Sequence, residues 1–226
     1  MIVAFETSSP ITSVAVRNGD RVETRTNESP RGHVEFCMPA LLDCLAKFDA
    51  TLGDIEAIAV GIGPGLFTGL RVGVQTAKSL AATLGKPLHA ISSLEVLARG
   101  ATEPTVVACV NAHRKQVFAA VFSEGRRLTE DSAMGPADAA SLARQHDALV
   151  IGDGRKVAPE AFEGLQLVDA VPSAQTLVRF APDDIPTADP VTLEPAYLRR
   201  SEAEIKWGDT GVVAKRPDRV KIARPK

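Results

Sequence analysis

Polar and apolar positions follow two periods along this chain, and the change of period marks out its elements. Ile2 to Glu6 is apolar up to its last residue, the pattern of a central strand. Thr7, Ser8, Ser9 and Pro10 turn the chain. Thr12 to Arg17 places Val14 and Val16 on one face, Asn18-Gly19-Asp20 is a hairpin signal, and Arg21 to Asn27 alternates polar residues with a single valine, as an exposed or edge strand does. The period then lengthens. From His33 to Phe48, at about 100° per residue, Val34, Cys37, Met38, Leu41, Leu42, Cys44, Leu45 and Phe48 fill one wide apolar arc, opposite Glu35, Asp43 and Lys47. Pro39 falls inside this helix and is expected to kink it. Phe36 and Ala40 lie among the charged positions, where a simple amphipathic helix has no use for a phenylalanine.

Ala57 to Ile62 is a second short apolar run, ended by Gly61, Gly63, Pro64 and Gly65. Thr68 is the expected N-cap of a helix from Leu70 to Leu84, which Gly85 and Pro87 stop. Leu70, Val74, Ala77, Leu80, Ala81 and Leu84 make its core face, and Arg71, Gln75 and Lys78 its polar stripe. Val72, Thr76, Ser79 and Thr83 make a second face, small and uncharged. A helix with two uncharged faces contacts two bodies, and both can belong to the same chain. Strand, glycine loop and helix together form either a tight structural turn or an anion site at Gly63, Gly65, Thr68, Gly69 and Arg71. The spacing is neither Gly-Lys-Ser/Thr nor the dinucleotide pattern in its usual context. Gly65 and Gly69 are expected to serve backbone conformation or close helix approach.

Leu88 to Ser92 reads as a strand, with Ser92 or Ser93 capping a helix from Leu94 to Arg99. Gly100 to Pro104 is the first strong break and sets the expected boundary between a first lobe, 1–103, and a second, 104–207. Strands at Thr105 to Asn111 and Gln116 to Phe122, a turn into Arg126 to Thr129, a helix at Pro136 to Arg144 and a strand at Ala148 to Ile151 repeat the opening order, as a duplicated fold would. Gly152-Asp153-Gly154 is a loop, Gln175 to Phe180 a short helix, and Pro182 to Pro190 a loop. Residues 208–226 carry six Lys/Arg against two Asp and are expected to be a flexible basic tail.

The net charge of -2 argues against tight stand-alone binding to nucleic acid. The aromatic share of 4% shows no stacking platform for RNA. No apolar run reaches the roughly 18 residues of a membrane span, and the N-terminus lacks a basic leader, so a cytoplasmic protein without membrane contact is expected. Cys37, Cys44 and Cys109 fit reduced structural thiols. His33 and Cys37, at i and i+4, point the same way but lack a third ligand, so no metal is expected. Ser8, Ser9, Ser92 and Ser93 sit in no G-x-S-x-G elbow, and no HExxH occurs, so no catalytic residue is assigned.

The run GPG-x-FTGLRVG at Gly63 to Gly73, with AK-x-LA, LG-x-PL and SSLEVLA after it and P-x-Y-LR near Tyr197, resembles the TsaB (YeaZ) family, which serves the synthesis of threonylcarbamoyladenosine beside the anticodon of tRNA. The match is strong over 2–98, moderate over 106–122 and 194–207, and poor elsewhere. The resemblance implies an α/β, actin-like fold of two RNase H-like lobes, each a mixed sheet flanked by helices. It implies a non-catalytic partner of the TsaD subunit, acting with TsaE on an intermediate supplied by TsaC and meeting tRNA through the complex. ATP or ADP would sit at the complex interface, if anywhere, and a homodimer is the other association to test. The implied partner surface is the first lobe's two helices, at His33, Phe36, Cys37, Ala40, Val72, Thr76, Ser79 and Thr83. Three departures stand out: Glu6 where actin-like ATPases carry Asp, Leu66 where TsaB-like chains carry Ser, and Asn111 where the family shows D-A-R. The rival reading is a small ATPase or kinase of the same superfold, which needs an acid on the first strand aimed at Mg²⁺.

Overall fold

The computed structural model describes residues 1–29 and 33–198. In chain order the elements are β1 (Ile2–Glu6), β2 (Thr12–Asn18), β3 (Arg21–Asn27), α1 (His33–Ala46), β4 (Ala57–Gly61), α2 (Phe67–Leu84), β5 (Leu88–Ile91) and α3 (Ser93–Ala98). There follow β6 (Thr105–Asn111), β7 (Val117–Ser123), β8 (Arg126–Arg127), β9 (Ser132–Met134), α4 (Pro136–Gln145), β10 (Leu149–Ile151), β11 (Leu167–Val168), α5 (Ala174–Phe180) and β12 (Thr187–Ala188).

The first sheet runs β12-β5-β4-β1-β2-β3 and the second β11-β10-β6-β7-β8, with β9 also on β7. In each, a central strand pairs antiparallel with the next strand and parallel with a later one: β1 with β2 and β4, β6 with β7 and β10. This shared plan is the duplicated, two-lobed actin-like architecture. Alternation along β1 explains how its sheet is covered. Val3 and Phe5 face α1 and α2, where they meet Cys37, Leu41, Leu45, Val74 and Ala77. Ala4 points the other way and, with Ala15 and Ala59, leaves a shallow face onto which α5 packs Leu177 and Val178. In the second lobe the place of α2 is taken by two 3-10 turns, Gly154–Val157 and Pro159–Phe162.

The lobes exchange helices. The helix α3 follows β5 of the first sheet but packs Leu94, Leu97 and Ala98 on the second. The helix α5 follows β11 of the second sheet but packs on the first, and β12 then pairs with β5. Residues 174–188 therefore belong by packing to the first lobe, and a division at Pro104 alone misplaces them. The stretch from Pro182 to Pro190, expected to be loop, contains β12.

Other boundaries differ for local reasons. The helix α1 ends at Ala46 rather than Phe48. The helix α2 starts at Phe67 behind an extended Leu66, with no side-chain cap, so Thr68 is not the N-cap but an exposed residue of the first turn. Gly85 ends it in the left-handed conformation, φ 63°. Ser92 caps α3 by accepting from the Leu94 N–H at 3.2 Å. The basic tail at 208–226 lies outside the described residues. Among those described, no helix is long and apolar enough to cross a membrane.

Candidate functional site

The glycine loop after β4 is built against the turn after β1. Gly63 has φ 99°, a conformation that side chains rarely adopt. Its N–H donates to Ser93 Oγ at 3.1 Å, and its carbonyl accepts from the Ser93 N–H at 2.7 Å. The Leu66 N–H donates to the Ser8 carbonyl at 2.7 Å. A methyl on Gly65 would stand 2.2 Å from the Ser8 carbonyl oxygen, one on Gly69 2.0 Å from that of Thr7, and one on Gly73 2.2 Å from Thr7 Oγ1. Close approach, rather than positive φ, is thus what requires glycine at 65 and 69. The Thr7 hydroxyl donates to the Gly69 carbonyl at 2.8 Å and ties α2 to that turn. The N–H groups of Gly63 and Leu66 are used inside the protein.

Glu6 ends β1 with no exposed surface. One carboxylate oxygen accepts from the Ser8 N–H at 2.8 Å, the other from Ser93 Oγ at 3.0 Å. The carboxylate lies over Gly61, where a methyl would strike it at 1.8 Å. Burial pushes its pKa above the ordinary carboxylate range, against the opposing effect of the Ser8 and Ser93 hydrogen bonds. The folded state therefore holds the proton to higher pH than the unfolded chain. Its contribution to stability is full below the unfolded pKa and is lost as pH rises through the folded one. His33 has the opposite sense, since burial lowers its pKa and costs stability as pH falls. Glu6→Gln is expected to flatten the fall of stability above the unfolded carboxylate pKa while leaving the histidine limb in place. Urea midpoints of the two proteins across pH 5 to 8 check this; parallel curves would contradict it.

The second lobe repeats the device. Gly152 and Gly154 pack on Cys109, with methyl positions 2.1 Å from its carbonyl oxygen and 2.3 Å from its Sγ. Asp153 accepts from the Asn111 N–H at 2.9 Å, and the Asn111 side chain accepts from the His113 N–H at 2.7 Å. Between the lobes Ser8, Ser9, Gly65, Asn111, His113 and Asp153 line a space of about 60 Å³. That is well under the roughly 300 Å³ at which small-molecule pockets begin.

The paired helices of the first lobe present a larger feature. A groove of about 440 Å³ runs along α2, lined among others by Val34, Arg71, Val72, Thr76, Lys78 and Tyr197. Val72 and Thr76 are half-buried, and Ser79 and Thr83 are exposed. Val34 is 71% and Leu42 51% exposed, although the apolar arc placed both in the core. The buried side of α1 is centred instead on His33, Cys37, Ala40, Leu41 and Cys44. His33, Cys37 and Ala40 accordingly face their own lobe and expose 5% of their surface or less, unlike the exposed surface expected of partner-binding residues. The His33 ring pairs through Nδ1 with the Thr12 hydroxyl, and burial raises the Cys37 thiol to about 11. Phe36 is half-buried against the first core.

The far wall of the groove is a segment whose placement the sequence did not show. Tyr197 stacks on Phe67 with ring centroids 4.8 Å apart, and the Arg71 guanidinium lies 5.5 Å from the Phe67 centroid. Lys78 Nζ donates to the Leu193 carbonyl at 2.6 Å, and the Ala196 N–H to that of Ile62 at 2.8 Å. The only sequence signal for this wall was the P-x-Y-LR resemblance, which says nothing of where the segment docks. Tyr, Arg and Phe are residue types enriched at protein contacts.

The family model for TsaD, tRNA N6-adenosine threonylcarbamoyltransferase, matches residues 26–147. A Mycobacterium bovis protein is 32% identical over 213 residues, covering 90% of this chain and 93% of that one. The tRNA threonylcarbamoyladenosine biosynthesis protein TsaB of Bacillus subtilis is 29% identical over 226 residues, covering 91% and 97%. A Mycobacterium leprae relative, 33% identical over 181 residues and matching 80% of this chain, is longer, and the chain spans 48% of it. The solved structure of YeaZ from Pseudomonas aeruginosa superposes with a TM-score of 0.77 at 26% identity, over 87% of this chain and 99% of that one.

Proposed function

The chain belongs to the TsaB (YeaZ) family, and from that premise we propose that it acts in tRNA threonylcarbamoyladenosine biosynthesis as a non-catalytic subunit that binds and supports TsaD. The observation that carries the non-catalytic role is Glu6. A nucleotide-hydrolysing member of the superfold needs an acid on the first strand that reaches a metal-bound phosphate. Here the acid is fully buried, and both oxygens are held by Ser8 and Ser93. The interlobe space of about 60 Å³ supports the same reading.

The role left to the chain is association. The groove and the uncharged Val72, Thr76, Ser79 and Thr83 lie together on α2, beside the exposed Val34 of α1. Small residues let a partner's helices approach to about 8–10 Å between axes, so two helices from each side would form a four-helix contact. TsaD occupies this face, TsaE joins the assembled pair, and TsaC supplies the intermediate. ATP or ADP, where present, and tRNA meet the complex rather than this chain alone. The test is ATP turnover by the isolated protein. Release of phosphate at the background rate is expected; turnover that Glu6→Gln abolishes would favour the ATPase reading and sink this one.

A further inference from the structure

We propose that the turn between β6 and β7 is a phosphate-contact site, at which Arg114 and Lys115 hold the backbone of tRNA in the assembled complex. The inference rests on the function proposed above, which supplies the RNA. His113, Arg114 and Lys115 follow one another in the left-handed region, at φ 60°, 51° and 60°. The Gln116 N–H donates to the His113 carbonyl at 3.0 Å, so Arg114 and Lys115 are the central pair of this turn. Positive φ at both central positions belongs to the type I′ turn, whose usual pair is Asn-Gly. An ordinary side chain is strained there, because its Cβ crowds the backbone. All three residues are exposed, so their side chains do not fill the core. Solubility would be met by Asn, Asp or Gly, which adopt this conformation more readily. What Asn and Gly cannot supply is positive charge.

The distribution of charge is the second observation. From Thr105 to Ser123 the hairpin has no acidic residue, and Arg114 and Lys115 are its only Lys or Arg. Its charge is gathered at the tip, on a chain whose net charge is -2. The turn stands at the space between the lobes, which Asn111 and His113 line with Ser8, Ser9 and Gly65. The carboxylate beside it, Asp153, accepts from the Asn111 N–H at 2.9 Å. At about 60 Å³ that space is too small for a nucleotide, so a phosphate that meets the tip lies outside it, on a larger molecule. Arginine offers a planar fork of donors and lysine a mobile point charge, and together they suit neighbouring phosphates of one strand. Two cations are too few to bind RNA alone; they position a tRNA that the complex already holds. Neither residue lines the groove on α2, so the site is separate from the proposed TsaD contact.

The test uses the complex of the full chain with TsaD and an unmodified tRNA transcript, titrated over a range of salt. The double variant Arg114→Gln, Lys115→Gln keeps the backbone geometry and removes the charge. It should bind TsaD like the parent and raise the dissociation constant for tRNA about tenfold near 0.1 M salt. The slope of log affinity against log salt should become shallower by about 1.5, the loss of two phosphate contacts. Lys115→Gly should raise the melting temperature by about 2–4 °C and still weaken tRNA binding, a trade that a purely structural turn would not show. Unchanged tRNA affinity and salt slope in the double variant would overturn the proposal. So would weaker binding to TsaD, which would place the tip in a protein contact. A double variant that loses affinity for ATP but not for tRNA would assign the tip to a nucleotide and overturn it too. Failure of the parent to bind TsaD at all would sink the function on which the inference rests; a normal complex whose tRNA binding ignores both variants sinks the inference alone.

Discussion

Thr76→Glu should leave the fold intact and weaken binding to TsaD by about 3 kcal/mol, roughly a hundredfold. Thr76 is half-buried on the wall of the α2 groove, and the face that packs inward is Leu70, Val74, Ala77, Leu80 and Ala81. A carboxylate there stays solvated in the free protein. In the complex it would be desolvated among Val34, Val72 and whatever the partner supplies, while the cations of the groove are already engaged, Lys78 with the Leu193 carbonyl and Arg71 over the Phe67 ring. The melting temperature should change little while the dissociation constant rises, and calorimetric titration separates the two. Binding as tight as the parent's would place the interface elsewhere.

Gly69→Val should act in the other direction, on the fold itself. The added Cβ would stand 2.0 Å from the Thr7 carbonyl oxygen, and both sides of that contact are backbone. Neither can move as a side-chain tip can. The α2 terminus must tilt off the turn, stretching the hydrogen bond from the Thr7 hydroxyl to the Gly69 carbonyl and the one from Leu66 to Ser8. Overpacking of this kind costs about 3 kcal/mol or more. The urea midpoint should fall accordingly. A control at Gly85, where φ is 63° but nothing lies within 4 Å, separates steric conflict from loss of glycine's conformational freedom. Equal losses for Gly69→Val and Gly85→Ala would contradict the packing account.

The first lobe was readable because its central strands are short apolar runs, β2 alternates, and its turns carry their own residues. Ile2 to Glu6, Asn18-Gly19-Asp20 and the glycine loop each settle a local conformation without help from distant parts. The orientation of α1 was not readable for the opposite reason. Its apolar arc is so wide that no charge fixes its centre, and the structure turns Val34 and Leu42 outward and His33 and Ala40 inward. The start of α2 was misjudged because Thr68 looks like a cap, whereas packing of Gly65 and Gly69 on residues 7 and 8 sets the entry. The return of α5 and β12 to the first sheet depends on the shallow surface of Ala4, Ala15 and Ala59, which only assembly of the sheet creates. The Phe67–Tyr197 stack joins residues 130 positions apart, beyond the reach of any periodicity.

The central claim is that this chain works by holding TsaD. Mixing the two purified proteins at micromolar concentration, with and without ATP, and measuring mass by light scattering during gel filtration tests it most directly. The account predicts a stoichiometric complex that the parent forms and Thr76→Glu does not. Separate elution of parent and TsaD under both conditions would contradict it.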